Sequence, residues 1–216
     1  VADKRFIHQE NVVEALKMLQ AVVTTLDAHH IAYYLDFGTL LGAMREGALI
    51  PWDDDLDISL LNPSDYPKAQ EVLREIQKRY RYRTYLFTFR SSREKRRKNH
   101  NPIFHEHISF ASDEDFQIAK LRTNKFWIFG RGNTTMDIFF KYSFEGGLYW
   151  LADGRINRID ASLLEQGVKQ IDFCGISCSV PVAYEAYLSQ LYGEWQIPNR
   201  TWREDESPTQ LQGECL

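Results

Sequence analysis

Four aspartates, Asp53, Asp54, Asp55 and Asp57, fall in the short segment Ile50-Pro51-Trp52-Asp53-Asp54-Asp55-Leu56-Asp57-Ile58. Carboxylates this close repel one another, and each tends to hold a proton unless a cation neutralises the group. Alternate residues of a strand point to the same side. A strand over residues 56–61 therefore projects Asp55 and Asp57 from one face at its mouth and turns Leu56 and Ile58 into the core. Oxygen ligands placed like this suit one or two Mg²⁺ or Mn²⁺ ions. Asp53 is then a helper and Asp54 points away. The competing reading is an acidic turn with Asp54 and Asp55 solvated, since a bare Asp-x-Asp arises often by chance.

Such a site needs another carboxylate, and Met136-Asp137-Ile138-Phe139-Phe140 supplies one inside an apolar strand. A buried, unpartnered carboxylate is costly, so Asp137 should face a cation or a cleft. The alternative is a strand-edge residue reaching solvent or an arginine. Gly38-Thr39 reads as a tight turn between strand and helix whose exposed backbone N–H groups favour phosphate, and Arg45, one helical turn on, adds a charge-assisted contact.

Other candidates carry less chemistry. His105 and His107, at spacing two beside Glu106 and near His100, could meet on one strand face and bind zinc, but cysteine partners are absent. A substrate or strand-surface role is the simpler reading. Phe126, Trp127 and Phe129 could stack on a base or a choline headgroup, but ordinary core packing is the simpler reading. Tyr192 and Trp195 read as anchors of the last helix.

The elements that must position these residues alternate between α and β. Residues 8–30 read as a helix, with Val12, Leu16, Leu19, Val23 and Leu26 in one apolar stripe. A strand follows over 31–36, then a short helix over 40–45 capped by Thr39 and ended by Gly47. A helix capped by Ser64 runs to about Arg79 and carries Ala69, Val72, Leu73 and Ile76. Strands are expected over 82–89, 103–110, 116–121, 135–140 and 148–151, with a mobile loop over the basic stretch between the first two. A hairpin over 168–180 turns at Gly175. Pro181 opens the last helix, which Gly193 terminates. The organisation expected is one catalytic domain over residues 1–202 and a polar, loosely ordered tail over 203–216, with no internal repeat.

Composition bounds the function. The chain has 216 residues, 44% of them hydrophobic, which suffices for a packed core. The net charge of −4 is uneven: residues 74–98 hold eleven Lys or Arg against two Glu, a local +9 against −13 for the rest. The run Arg93, Lys95, Arg96, Arg97, Lys98 reads as a solvated loop, or as a patch attracting phosphate-bearing substrates or an anionic membrane surface. An acidic chain with one basic segment is a poor candidate for binding a nucleic-acid polymer. Cys174, Cys178 and Cys215 do not make a disulfide framework; a bridge across the Gly175 turn is conceivable, and free thiols fit better. No apolar run approaches the roughly 20 residues that span a bilayer. With no signal peptide visible, the expectation is a cytoplasmic protein, associated peripherally with membrane through residues 74–98. An anchor preceding Val1 would instead place it in the secretory-pathway lumen.

The block from Tyr34 to Arg45, Tyr-Leu-Asp-Phe-Gly-Thr-Leu-Leu-Gly-Ala-Met-Arg, followed by Ile-Pro-Trp-Asp-Asp-Asp-Leu-Asp-Ile from Ile50 to Ile58, resembles the signature of the LicD and fukutin-related family. Ala119-Lys120-Leu121-Arg122 resembles a basic strand of that family, and Met136-Asp137-Ile138-Phe139 its later acidic strand. Val180-Pro181 and Tyr192-Gly193-Glu194-Trp195 resemble its C-terminal helix. The resemblance covers about residues 10–198 and matches poorly around the basic run. It implies an α+β fold, a nucleotidyltransferase-like mixed sheet flanked by helices. It also implies a metal-dependent enzyme that moves phosphocholine or a polyol phosphate from a CDP-activated donor to a hydroxyl of a glycan or glycolipid, releasing CMP. On that reading Asp55, Asp57 and Asp137 hold Mg²⁺ or Mn²⁺, and Asp137, with Asp53 second, is the candidate general base. Gly38, Thr39, Arg45, Trp52, Lys120 and Arg122 are candidate substrate contacts. The broader fold usually has Gly-Ser at the turn and a shorter gap to its acidic pair; Gly38-Thr39 and the longer gap argue against template-dependent polymerisation. The rivals are a nucleotidyl- or sugar-phosphate transferase using another donor, and a non-catalytic nucleotide-binding domain.

Overall fold

Two parallel strands bring the distant aspartates together. In the computed structural model, which describes residues 3–101, 108–124, 131–152, 154–203 and 206–211, β1 (Tyr33–Leu35), β2 (Asp55–Leu60), β3 (Arg83–Thr88), β4 (Phe116–Asn124) and β5 (Arg131–Phe139) form one sheet in the order β1-β2-β5-β4-β3. β2 and β5 run parallel, while β1–β2, β4–β5 and β3–β4 are antiparallel. The sheet is mixed and its helices are interleaved along the chain, the α+β class expected.

Period-two alternation explains β2: Leu56 and Ile58 are fully buried, and the aspartates between them lie on the other face. The buried face packs under α1 (Gln9–Ala28), which contacts β5, β2 and α3 (Tyr66–Tyr80). Leu19, Val23 and Leu26 of the expected stripe are buried, but Val12 and Leu16 are only half-buried. Ala15, Met18 and Val22 complete the buried face instead. Truncating Leu19 or Leu26 to Ala would remove about 2–5 kcal/mol.

The remaining elements differ from the sequence expectation in instructive ways. α2 spans Phe37–Arg45, beginning before the expected start, because Asp36 rather than Thr39 is its N-cap and accepts from Phe37 N at 2.8 Å. Gly38 and Thr39 are thus in the first helical turn. Ser64 does not cap α3; it lies in a 3-10 turn, Pro63–Asp65, that leads into the helix. The basic stretch is not a loop. It forms α4 (Phe89–Lys98), held at its start by a reciprocal cap between Thr88 and Ser91. Pro181 ends a strand instead of opening a helix, and the last helix, α5 (Tyr184–Tyr192), starts three residues later and ends at Gly193.

Leu148–Leu151 belongs to a three-stranded meander of β6 (Tyr142–Phe144), β7 (Gly147–Ala152) and β8 (Arg155–Asp160). β9 (Val168–Phe173) and β10 (Ile176–Pro181) form the hairpin expected at Gly175, with Cys174 and Gly175 both at positive φ. Cys174 and Cys178 are free thiols. Part of the tail is tied down: Thr209 and Leu211 exchange backbone bonds with Arg158 and Ile156, and Thr209 Oγ1 donates to Asn157 Oδ1 at 3.0 Å. Ile108, Ser109 and Phe110 are not in a strand. The rest of the strand expected over 103–110, the readings on His105, Glu106, His107, Phe126, Trp127 and Phe129, and Cys215 lie outside the described residues. No described helix is long and apolar enough to cross a membrane.

Candidate active site

The parallel register sets Asp57 directly beside Asp137, with Asp55 opposite Thr135. Carboxylate oxygens of Asp55, Asp57 and Asp137 all lie within 4.8 Å of one another. Asp53, Asp54 and Asp55 make a second such group, with Asp54 exposed. Burial raises the pKa of Asp57 well above the usual carboxylate range, and the charges of Asp55 and Asp137 raise it further. Asp55 is raised for the same reasons, with burial first and the charges of Asp53 and Asp137 behind it. Burial pushes Asp53 up to about 6, although its Oδ1 accepts from Asp54 N at 2.9 Å. Three hard oxygen donors crowded against their own repulsion could hold a metal ion, which would relieve that cost.

Lys120 is the one cation paired to this group among the described residues: its ammonium donates to Asp137 Oδ2. Burial would lower the Lys120 pKa, but the Asp137 carboxylate more than compensates and raises it. Register explains the meeting, since Lys120 on β4 stands opposite Asp137 on β5.

α2 closes the site from the side. A Cβ on Gly38 would collide with Asp53 Oδ2, so glycine lets that carboxylate rest against the helix start. Thr39 is buried, and its hydroxyl accepts from Asp57 N at 2.8 Å, tying the helix to β2. Arg45 donates to Glu46 Oε1 at 2.8 Å and to the Trp195 carbonyl at 3.1 Å. Trp52 stacks under the Arg200 guanidinium, 4.9 Å from its ring centre.

Asp53, Asp55, Asp57, Asp137, Lys120, Gly38, Arg45 and Trp52 all line one cleft of about 1140 Å³. Thr39 and Arg122 are not among its lining residues; Arg122 Nε donates to the Gly132 carbonyl at 2.9 Å, toward the far end of the β4–β5 pair. The lining of the cleft also includes Arg93, Lys95 and Arg96 of α4.

Beneath the site lies a network that sequence reading did not find. Lys141 is fully buried and donates to Asp36 Oδ2 at 2.6 Å and to the Tyr187 hydroxyl at 2.7 Å. Asp36 also accepts from Ser59 Oγ at 2.5 Å and from the Tyr187 hydroxyl at 2.8 Å. The ammonium sits 4.2 Å from the Trp150 ring centre and 4.5 Å from that of Phe37. Burial lowers the Lys141 pKa despite the Asp36 charge. Asp36 also caps α2, and its backbone N–H donates to the Asp57 carbonyl at 3.1 Å. The network thereby fixes the helix start against β2. Phe37, left-handed at φ 42°, is held there by that cap and by its ring contact with Phe139. The one sequence signal was a lysine closing an apolar strand.

Residues 30–182 match the family described as LicD/FKTN/FKRP, nucleotidyltransferase domain. Human ribitol 5-phosphate transferase FKRP is 49% identical over 39 residues, 18% of this chain and 8% of that protein. The lipopolysaccharide cholinephosphotransferase LicD of Haemophilus influenzae is 32% identical over 69 residues, 32% of this chain and 26% of that protein. These matches span about a quarter or less of each relative. Among solved structures, the lincosamide antibiotic adenylyltransferase LnuA with lincomycin bound aligns at 12% identity and a TM-score of 0.42, over 80% of this chain and 82% of that one.

Proposed function

Because the chain belongs to the LicD/FKTN/FKRP nucleotidyltransferase-domain family, we propose that it transfers a phosphate-linked group, phosphocholine or a polyol phosphate, from a CDP-activated donor to a hydroxyl of a glycan, releasing CMP. The observation that carries this reading is the convergence of Asp55, Asp57 and Asp137 on the cleft floor. The names of the two relatives, a ribitol 5-phosphate transferase and a cholinephosphotransferase, support the class of group moved.

The three aspartates would hold Mg²⁺ or Mn²⁺, which when bound supplies charge neutralisation to the donor pyrophosphate. The chain's own residues do the rest. Lys120 and Arg45 face the cleft with cationic groups suited to donor phosphate. Gly38 lets the Asp53 carboxylate lie against the α2 start, at the edge of the cleft that would take the donor. The acceptor hydroxyl gives its proton to a carboxylate within reach, either Asp137, which Lys120 engages, or Asp53 at the helix side of the site. Trp52, with Arg200 over its ring, lines the cleft and would contact the substrate from there.

A donor screen reading release of the nucleoside monophosphate, CMP, UMP or AMP, tests this. CDP-choline and CDP-ribitol, with a neutral glycan and an anionic one as acceptors, should release CMP with Mg²⁺ and not with EDTA. UDP and ADP conjugates should release nothing. Release from a UDP or ADP conjugate alone would transfer the assignment to a different donor class, and nucleotide binding without any release would favour a non-catalytic domain.

A further inference from the structure

Lys141 is the one buried lysine among the described residues, and the chemistry proposed above gives it no task. It stands just past the end of β5, the strand that carries Asp137. α3 fixes its backbone: the Tyr66 hydroxyl donates to the Lys141 carbonyl at 2.6 Å and accepts from the Lys141 N–H at 3.0 Å. A long side chain is thereby anchored at its root. Burying an ammonium is costly unless it is paired and hydrogen-bonded, and this one ends on the Asp36 carboxylate and the Tyr187 hydroxyl.

Asp36 is fully engaged in turn. Its Oδ1 accepts from Phe37 N and the Tyr187 hydroxyl, and its Oδ2 from Ser59 Oγ and Lys141. Donors on both oxygens leave the carboxylate a single orientation. That orientation sets the Asp36 peptide, whose N–H donates to the Asp57 carbonyl at 3.1 Å. The Asp57 N–H donates to Thr39 Oγ1 at 2.8 Å, in the first turn of the helix that Asp36 caps. The β1–β2 register ends at Leu35 and Ile58. These two bonds carry it on to Asp57, on the side of β2 away from β5. Both peptide groups of Asp57 are therefore held by one element, the start of α2.

We propose that Lys141 is a positioning residue for the metal site: it neutralises the buried Asp36 carboxylate, and Asp36 in turn holds the backbone of Asp57. This rests on the transferase reading only in taking Asp57 as a metal ligand. A bare charge effect has the opposite sign. Lys141 is a cation whose charge acts on Asp57, so removing that charge alone should tighten metal binding. Letting Asp57 drift should weaken it.

Mn²⁺ titration followed by electron paramagnetic resonance, well below the melting transition, separates the two. Lys141→Met should weaken Mn²⁺ binding about tenfold. Tyr187→Phe, which takes one hydroxyl out of the network, should weaken it about threefold. Combining Asp36→Asn with Lys141→Met makes a neutral pair that keeps the backbone N–H toward Asp57, and it should recover most of the loss. Hydrogen exchange in EDTA gives a readout without metal: residues 53–60 should exchange faster in Lys141→Met while α1 keeps its protection. Unchanged or tighter Mn²⁺ binding in folded Lys141→Met would overturn the proposal, and so would a double variant as weak as the single one. Should Lys141→Met fail to fold, wild-type affinity in Tyr187→Phe would overturn it equally. Wild-type protein that binds Mn²⁺ and releases no nucleoside monophosphate would sink the transferase reading and leave this inference standing. Absence of Mn²⁺ binding in wild type would overturn both.

Discussion

The floor of the cleft and its α4 wall meet opposite electrostatic problems. On the floor, paired strands hold Asp55, Asp57 and Asp137 at fixed register, so like charges cannot move apart, and partial burial reduces their solvation. On the wall, the cations of α4 are spread around the helix, and those that reach solvent are screened, so their mutual repulsion is small. The floor is thus unfavourable alone and gains most from a bound cation. The wall is tolerable alone. Rigid strands suit the first task because alternation fixes side-chain direction; a capped surface helix suits the second because it can carry charge without an apolar core contact beyond Phe89.

The largest expected effect removes a floor charge. Asp57→Asn should reduce transfer by about a thousandfold, a loss of roughly 4 kcal/mol of transition-state stabilisation. It should leave the melting temperature in EDTA unchanged or higher, because a repelled carboxylate is gone. A marked fall in stability with activity preserved would mean that Asp57 is a structural group and the floor is not strained.

Next comes the support under the floor. Lys141→Met leaves Asp36 buried without its cation, and breaking such a pair costs about 3–5 kcal/mol. Denaturant unfolding should show that loss, whereas the exposed wall variant Lys95→Gln should lose less than about 0.5 kcal/mol. Similar losses in both would erase the distinction drawn between floor and wall.

A pH series separates the two regions further. Asp53 is raised to about 6 in the folded chain, and Asp55 and Asp57 are raised too. An unfolded aspartate titrates near 4, so the folded state binds more protons between these values. Metal-free stability from these groups should therefore fall as pH rises from about 4 through 6. Mg²⁺ should counter this at pH 7, raising the melting temperature by about 5–10 °C at a hundredfold excess over its Kd, and by less at pH 5 where protons compete. A melting temperature that rises steadily with pH in EDTA would contradict the strained floor. A smaller effect belongs to the cap of the wall: Thr88→Ala should cost about 1 kcal/mol through the lost α4 cap.

The floor was legible in the sequence because its grammar is local. Apolar residues alternate with Asp55 and Asp57, and one acid interrupts the apolar run at Asp137. Only the neighbouring of the two strands had to be inferred. α4 was misread as a loop because its stability comes from the Thr88–Ser91 cap and the Arg93–Asp113 pair, not from an apolar stripe. The start of α2 was misplaced because Asp36, a better cap than Thr39, was read as strand. The Lys141 network was invisible because its members, Asp36, Ser59, Lys141 and Tyr187, come from four separate segments and meet only in the folded chain. Thr209 and Leu211 looked like loose tail for the same reason: their partners on β8 are set by tertiary packing.

The most direct test of the acidic floor is Mn²⁺ titration followed by electron paramagnetic resonance, on wild-type protein and on Asp57→Asn and Asp137→Asn. The account predicts saturable binding to wild type, competed by Mg²⁺ and weakened at least tenfold in either variant with the fold intact. Binding of equal strength in all three proteins would contradict it.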